Sequence, residues 1–84
     1  MLESASIAIY PNPNNGMFTL SMESIEGDVT CQIANASGSI IETREVNADS
    51  NSEISFDYNL PAGVYFVRVI SGNKTWTKRV VIEN

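Results

Sequence analysis

Apolar residues recur at every second position along most of this chain, and no segment carries a helical stripe of useful length. Phe18, Leu20 and Met22 alternate with Thr19 and Ser21, and Val29, Cys31 and Ile33 alternate with Thr30, Gln32 and Ala34. A period of two puts each apolar set on one face of a strand. The pattern predicts seven strands, over residues 7–10, 17–22, 29–34, 40–46, 54–58, 64–70 and 75–83. Inner faces fall on Ile54, Phe56 and Tyr58 of the fifth strand and on Tyr65, Val67 and Val69 of the sixth, since Arg68 prefers water. On the fourth, Glu42 and Arg44 are expected to face water. The seventh is ambiguous: Trp76, Val80 and Ile82 share a face with Lys78, while Val81 lies on the other. A bulge, or a strand covered on both faces, is the expected explanation. As an edge strand it would offer unpaired backbone groups to a partner.

Turn chemistry separates the strands. PNPNNG follows the first, and NASG places Gly38 where a positive φ is needed. NADSNS at 47–52, LPAG and SGNK punctuate the rest. Seven short strands with a turn signal every 8–12 residues or so predict an all-β fold, an immunoglobulin-like sandwich of antiparallel strands. The Cys…Trp…Cys pattern of antibody domains is missing, so the expectation concerns architecture alone. Residues 7–84 form one domain. Residues 1–6 read as linker, with Met1 an expression start if the chain is a piece of something longer.

Composition narrows the function. Ten acidic residues against five basic ones give a net charge of −5, which repels nucleic acid and anionic lipid at long range. Direct membrane insertion is not expected either, because no run reaches the roughly 20 apolar residues a helical span needs. Against this acidic background Lys74, Lys78 and Arg79 cluster near the end, as a solvated strand face or a docking determinant. The single cysteine, Cys31, sits at an apolar alternation position and reads as a buried small side chain.

Catalytic chemistry finds little support. The chain has no histidine, and so lacks the commonest general base and transition-metal ligand. No phosphate-cradling glycine loop, zinc spacing or EF-hand pattern occurs. Asp28, Asp49 and the asparagines of PNPNNG are oxygen donors suited to calcium, but Asn and Asp are equally turn formers. No cofactor and no catalytic residue are expected. The aromatics offer a sugar platform only if one of them leaves the core.

Three blocks, YPNPNNGMFTL at 10–20, IANASGSII at 33–41 and LPAGVYFVRV at 60–69, occur in order and are followed by KRVVIEN. Together they resemble the type A C-terminal sorting domain of the type IX secretion system of Bacteroidetes. The resemblance implies an address label on a larger exported protein: cargo reaches the periplasm, the domain is recognised by the outer-membrane translocon, and a sortase-like peptidase then removes it. It implies cargo N-terminal to the domain, delivery to the cell surface or medium, and no enzyme activity of the domain's own. Residues matching the family's motifs are Pro11, Asn12, Pro13 and Gly16; Gly38; Gly63, Tyr65, Val67 and Val69; and Lys78, Arg79, Val80 and Ile82. The family commonly ends on a basic residue, whereas Glu83 and Asn84 follow here. Ser4–Ser6 lies where linker and cleavage site are expected. The competing reading is a carbohydrate-binding or adhesion module on the same sandwich.

Overall fold

The computed structural model describes residues 5–49 and 51–83. The remaining linker residues, Ser50 of the NADSNS segment and Asn84 lie outside the described residues. Seven strands appear: β1 (Ser6–Tyr10), β2 (Met17–Glu23), β3 (Gly27–Asn35), β4 (Ile40–Ala48), β5 (Asn51–Asp57), β6 (Gly63–Ser71) and β7 (Lys74–Ile82). Ser6, assigned to the linker by pattern, is therefore part of β1, where it pairs with Glu23. The expected loop at 47–52 is also shorter, since β4 runs to Ala48 and β5 resumes at Asn51.

Pairings between these strands are antiparallel, and they make two sheets with strand orders β1-β2-β5 and β4-β3-β6-β7. The inner faces are those the alternation predicts for β2, β3, β5 and β6. Phe18, Leu20, Met22 and Phe56 of one sheet meet Val29, Cys31, Ile33, Val67 and Val69 of the other. Each such side chain taken from water stabilises by about 1.5–3 kcal/mol. Phe18 and Phe56 stack with ring centroids 5.2 Å apart. Cys31 is free and buried, and burial pushes its thiol up from the ordinary value, which keeps it unreactive.

The expectation for β4 is overturned. Arg44 lies directly opposite Cys31, and Glu42 opposite Ile33, so both charged side chains point to the inner side. The side facing water is Ile41, Thr43 and Glu45. The inward charges are tolerated because β4 is an edge strand, and its inner face lies along the seam where the sheets part. There the Arg44 guanidinium sits 4.5 Å from the centre of the Phe56 ring, a cation–π contact. Glu42 takes a 3.3 Å ion pair from Arg44 and accepts the Tyr58 hydroxyl proton in a hydrogen bond.

The Tyr58 hydrogen bond, followed by Arg44, holds the Glu42 carboxyl below the usual carboxylate value. A depressed folded-state pKa contributes stability above the unfolded value of about 4.3, and that contribution is lost as pH falls through the folded value. Thermal unfolding followed from pH 7 to pH 3 should therefore show a midpoint that drops on acidification. Glu42→Gln should lower the midpoint at pH 7 and flatten this dependence. Parallel curves for the two proteins would refute the role of Glu42.

Of the two explanations expected for β7, the bulge is overturned and partial cover on both faces is found. Pairing with β6 runs without a register shift from Ser71 opposite Lys74 to Gly63 opposite Ile82. Val80 and Ile82 are buried, Trp76 is half-buried against the core, and Lys78 is exposed although it shares their face. A long lysine stem on an edge strand can carry its ammonium out past the sheet, so no bulge is needed. Val81 is partly covered on the opposite face, beside Val64.

Candidate recognition surface

The loop after β1 closes against the last strand. Peptide bonds Tyr10–Pro11 and Asn12–Pro13 are both cis. Between them the Asn12 side chain turns toward the outer edge of β7 and acts as a surrogate strand. Its Nδ2 donates to the carbonyl of Arg79 at 2.9 Å, and its Oδ1 accepts from the backbone N–H of Val81 at 2.9 Å. Asn14 continues the row with its own backbone. Its N–H donates to the Val81 carbonyl at 3.0 Å, and its carbonyl accepts from the N–H of Glu83 at 2.7 Å. The result is a one-residue parallel bridge between Asn14 and Ile82.

Asn14 is the one buried polar residue among those described, and both polar atoms of its side chain are bonded. Nδ2 donates to the Pro11 carbonyl at 3.0 Å, while Oδ1 accepts from the Gly16 N–H at 2.8 Å. Asn15 makes the same kind of short turn with Met17 N–H. The loop asparagines thus act as turn formers and edge partners, the bland alternative to calcium ligands. Asn35 does likewise in the middle turn, where its Oδ1 accepts from Ser37 and Ser39. Asp28 accepts from Asn47.

Gly16 ends the clasp. Its φ is +111°, and a Cβ there would lie 2.2 Å from the carbonyl oxygen of Tyr58. The Gly16 carbonyl accepts from Tyr58 N–H at 2.9 Å, which ties the loop to β5's exit as well.

The motif residues therefore separate into four physical groups. Pro11, Asn12, Pro13 and Gly16 build the clasp. Val67, Val69, Val80 and Ile82 are buried core, joined by Tyr65, whose hydroxyl donates to the Pro61 carbonyl at 2.6 Å. Gly63 opens β6 beneath the Tyr65 ring, and Gly38 shapes the turn after β3. Of the motif residues on the seventh strand, Lys78 and Arg79 alone are exposed; Val80 and Ile82 are buried. The structure brings the first and last motifs into contact and leaves Gly38 apart from them. Sequence reasoning missed Asn14 and the Tyr58–Glu42–Arg44 cluster. Asn14 was hidden among turn formers, though a buried asparagine in a proline-bounded loop is a cap waiting for partners.

On the outer face of the four-stranded sheet, Phe66, Arg68, Gln32 and Thr77 line a shallow hollow of about 290 Å³, roofed by the turn at Ala36 and Gly38.

Residues 8–83 match the family described as secretion system C-terminal sorting domain. The chain belongs to this family. A relative, ulvan lyase NLR42 of Nonlabens ulvanivorans, is 29% identical over 79 residues; the match covers 93% of this chain and 14% of that protein. The family's domains are C-terminal sorting signals for type IX secretion, carried by larger secreted proteins. The sorting domain accordingly marks cargo for export to the cell surface or medium. Its position in the family implies a cargo region on its N-terminal side.

Proposed function

We propose that the sorting domain is read in its folded form by the outer-membrane translocon of the type IX system and then removed by a sortase-like peptidase. The domain itself has no catalytic role in this reading. The observation that carries it is the meeting of the two motifs at β7: the clasp fixes the strand's position and leaves Lys78 and Arg79 projecting from it. Recognition of a rigid edge costs less ordering entropy than recognition of a loose tail.

The test is a fluorescent reporter directed to the periplasm and carrying this chain at its C-terminus. Export is expected in a strain with the type IX machinery and not in a translocon-deficient one; retention in both sinks the proposal. Within that assay, Lys78→Ala with Arg79→Ala separates recognition from folding, since neither side chain supports the core. Export should fall about tenfold or more while the thermal midpoint stays within a few degrees. Undiminished export of the folded double variant rules the two cations out as determinants.

A second reading has one observation in its favour. Phe66, with Arg68 and Gln32 beside it in the outer hollow, has the aromatic-plus-polar make-up of a sugar platform. Affinity for a polysaccharide that is lost in Phe66→Ala would favour the carbohydrate-binding module.

A further inference from the structure

The clasp covers only half of β7's outer edge. Val81 points both backbone groups outward to the loop, as Arg79 does its carbonyl, so in an antiparallel ladder the residues two, four and six positions before Val81 share that direction. The N–H and C=O groups of Thr75 and Thr77, and the N–H of Arg79, therefore face away from β6 with no partner among the described residues. They form a short open edge beside a closed one.

Charge picks out the same place. Four of the five basic residues, Arg68, Lys74, Lys78 and Arg79, lie on β6 and β7, and no acidic residue occurs from Gly63 to Ile82. The ion pair among the described residues is Arg44 with Glu42, on the opposite seam. None of the four hairpin cations is neutralised there. In a chain of net charge −5 this is a segregated positive strip along an unpaired strand edge.

We infer that the Lys74–Arg79 half of β7 is a strand-addition site for an extended acidic segment of a partner protein. Main-chain bonds to Thr75 and Thr77 would supply the register, and carboxylates beside Lys74, Lys78 and Arg79 the selectivity. The same lysines repel a like-charged edge, which disfavours pairing of this edge with that of a second copy. The clasp sets the site's length, since an added strand must stop where Asn12 begins. This deepens the translocon reading above, because it states the chemistry that the translocon, or an adaptor of it, would present.

The test is a titration of the 84-residue chain, amide signals being followed by NMR, with a short blocked peptide alternating threonine and glutamate. A threonine–lysine peptide is the control. The acidic peptide should shift the amides of Thr75, Thr77 and Arg79 and slow their hydrogen exchange, and the control should not. Thr77→Pro removes only an outward-facing N–H, a position where edge strands accept proline. It should weaken binding about tenfold or more with the fold retained, and so should Lys74→Glu with Lys78→Glu.

No binding at millimolar peptide, equal binding of both peptides, or shifts confined to β4 or β5 overturns the inference. Concentration-dependent shifts at Thr77 without peptide overturn it in favour of self-association. Reporter export by the unaltered chain tests the sorting proposal separately, so either can fail alone.

Discussion

Alanine at Gly16 should cost on the order of 3–5 kcal/mol, a large share of the roughly 4–13 kcal/mol available to a domain of this size. Two penalties combine. A φ of +111° lies in a region that side chains rarely adopt, and the new Cβ would stand 2.2 Å from the Tyr58 carbonyl oxygen. That obstacle is backbone, held by the Tyr58 N–H bond to Gly16 itself, so it cannot swing aside. Relief requires the loop to lift, and lifting it releases Asn12 and Asn14 from β7. Urea unfolding should show a much lower midpoint for Gly16→Ala, and hydrogen exchange should show the amides of Val81 and Glu83 losing protection. Gly27→Ala is the matched control, because its φ is also positive while nothing lies within 4 Å of its Cβ position. Equal losses at the two sites would mean that the clasp is not under steric constraint.

Ile82→Ala should be comparably severe, at about 2–5 kcal/mol. Ile82 is 2% exposed, pairs with Gly63, and is the residue bridged by Asn14. Its removal leaves a void where the clasp, β7 and the core meet. Ile82→Val, which deletes one methylene, should cost only about 0.5–1.5 kcal/mol. Denaturant unfolding of the three proteins gives the ladder, and export of reporters carrying them gives the functional counterpart. Export that declines in step with stability indicates recognition of the folded state. Full export by an unfolded Ile82→Ala variant would instead mean that the terminal sequence is read as a linear signal.

The strands were legible because one face of each is dry: Phe18-Leu20-Met22 and Tyr65-Val67-Val69 can be placed only one way without exposing three large side chains. β4 was not legible by the same rule. Its inward residues are Glu42 and Arg44, and alternation carries no sign that a charge faces another charge and an aromatic ring across a seam. Lys78 defeats the rule from the other side, being a position on the inner face of an edge strand whose side chain is nevertheless exposed. The candidate surface was half visible. Resemblance gathered the right motifs, and turn chemistry explained the prolines and Gly16. The contact between Asn12 and Val81 could not be read, because an asparagine signals a turn equally well whether or not its amide has a strand edge to imitate.

That contact joins residues 69 positions apart. Contacts of such separation form late and slowly, because the loop between them must be closed before they gain anything. A chain cut short before Val81 loses the strand edge to which the Asn12 side chain and the Asn14 backbone bond, and its opening loop is left with only its internal bonds. The clasp therefore ties the closing of the first turn to the presence of residues 79–83, and any copy lacking that stretch leaves it open.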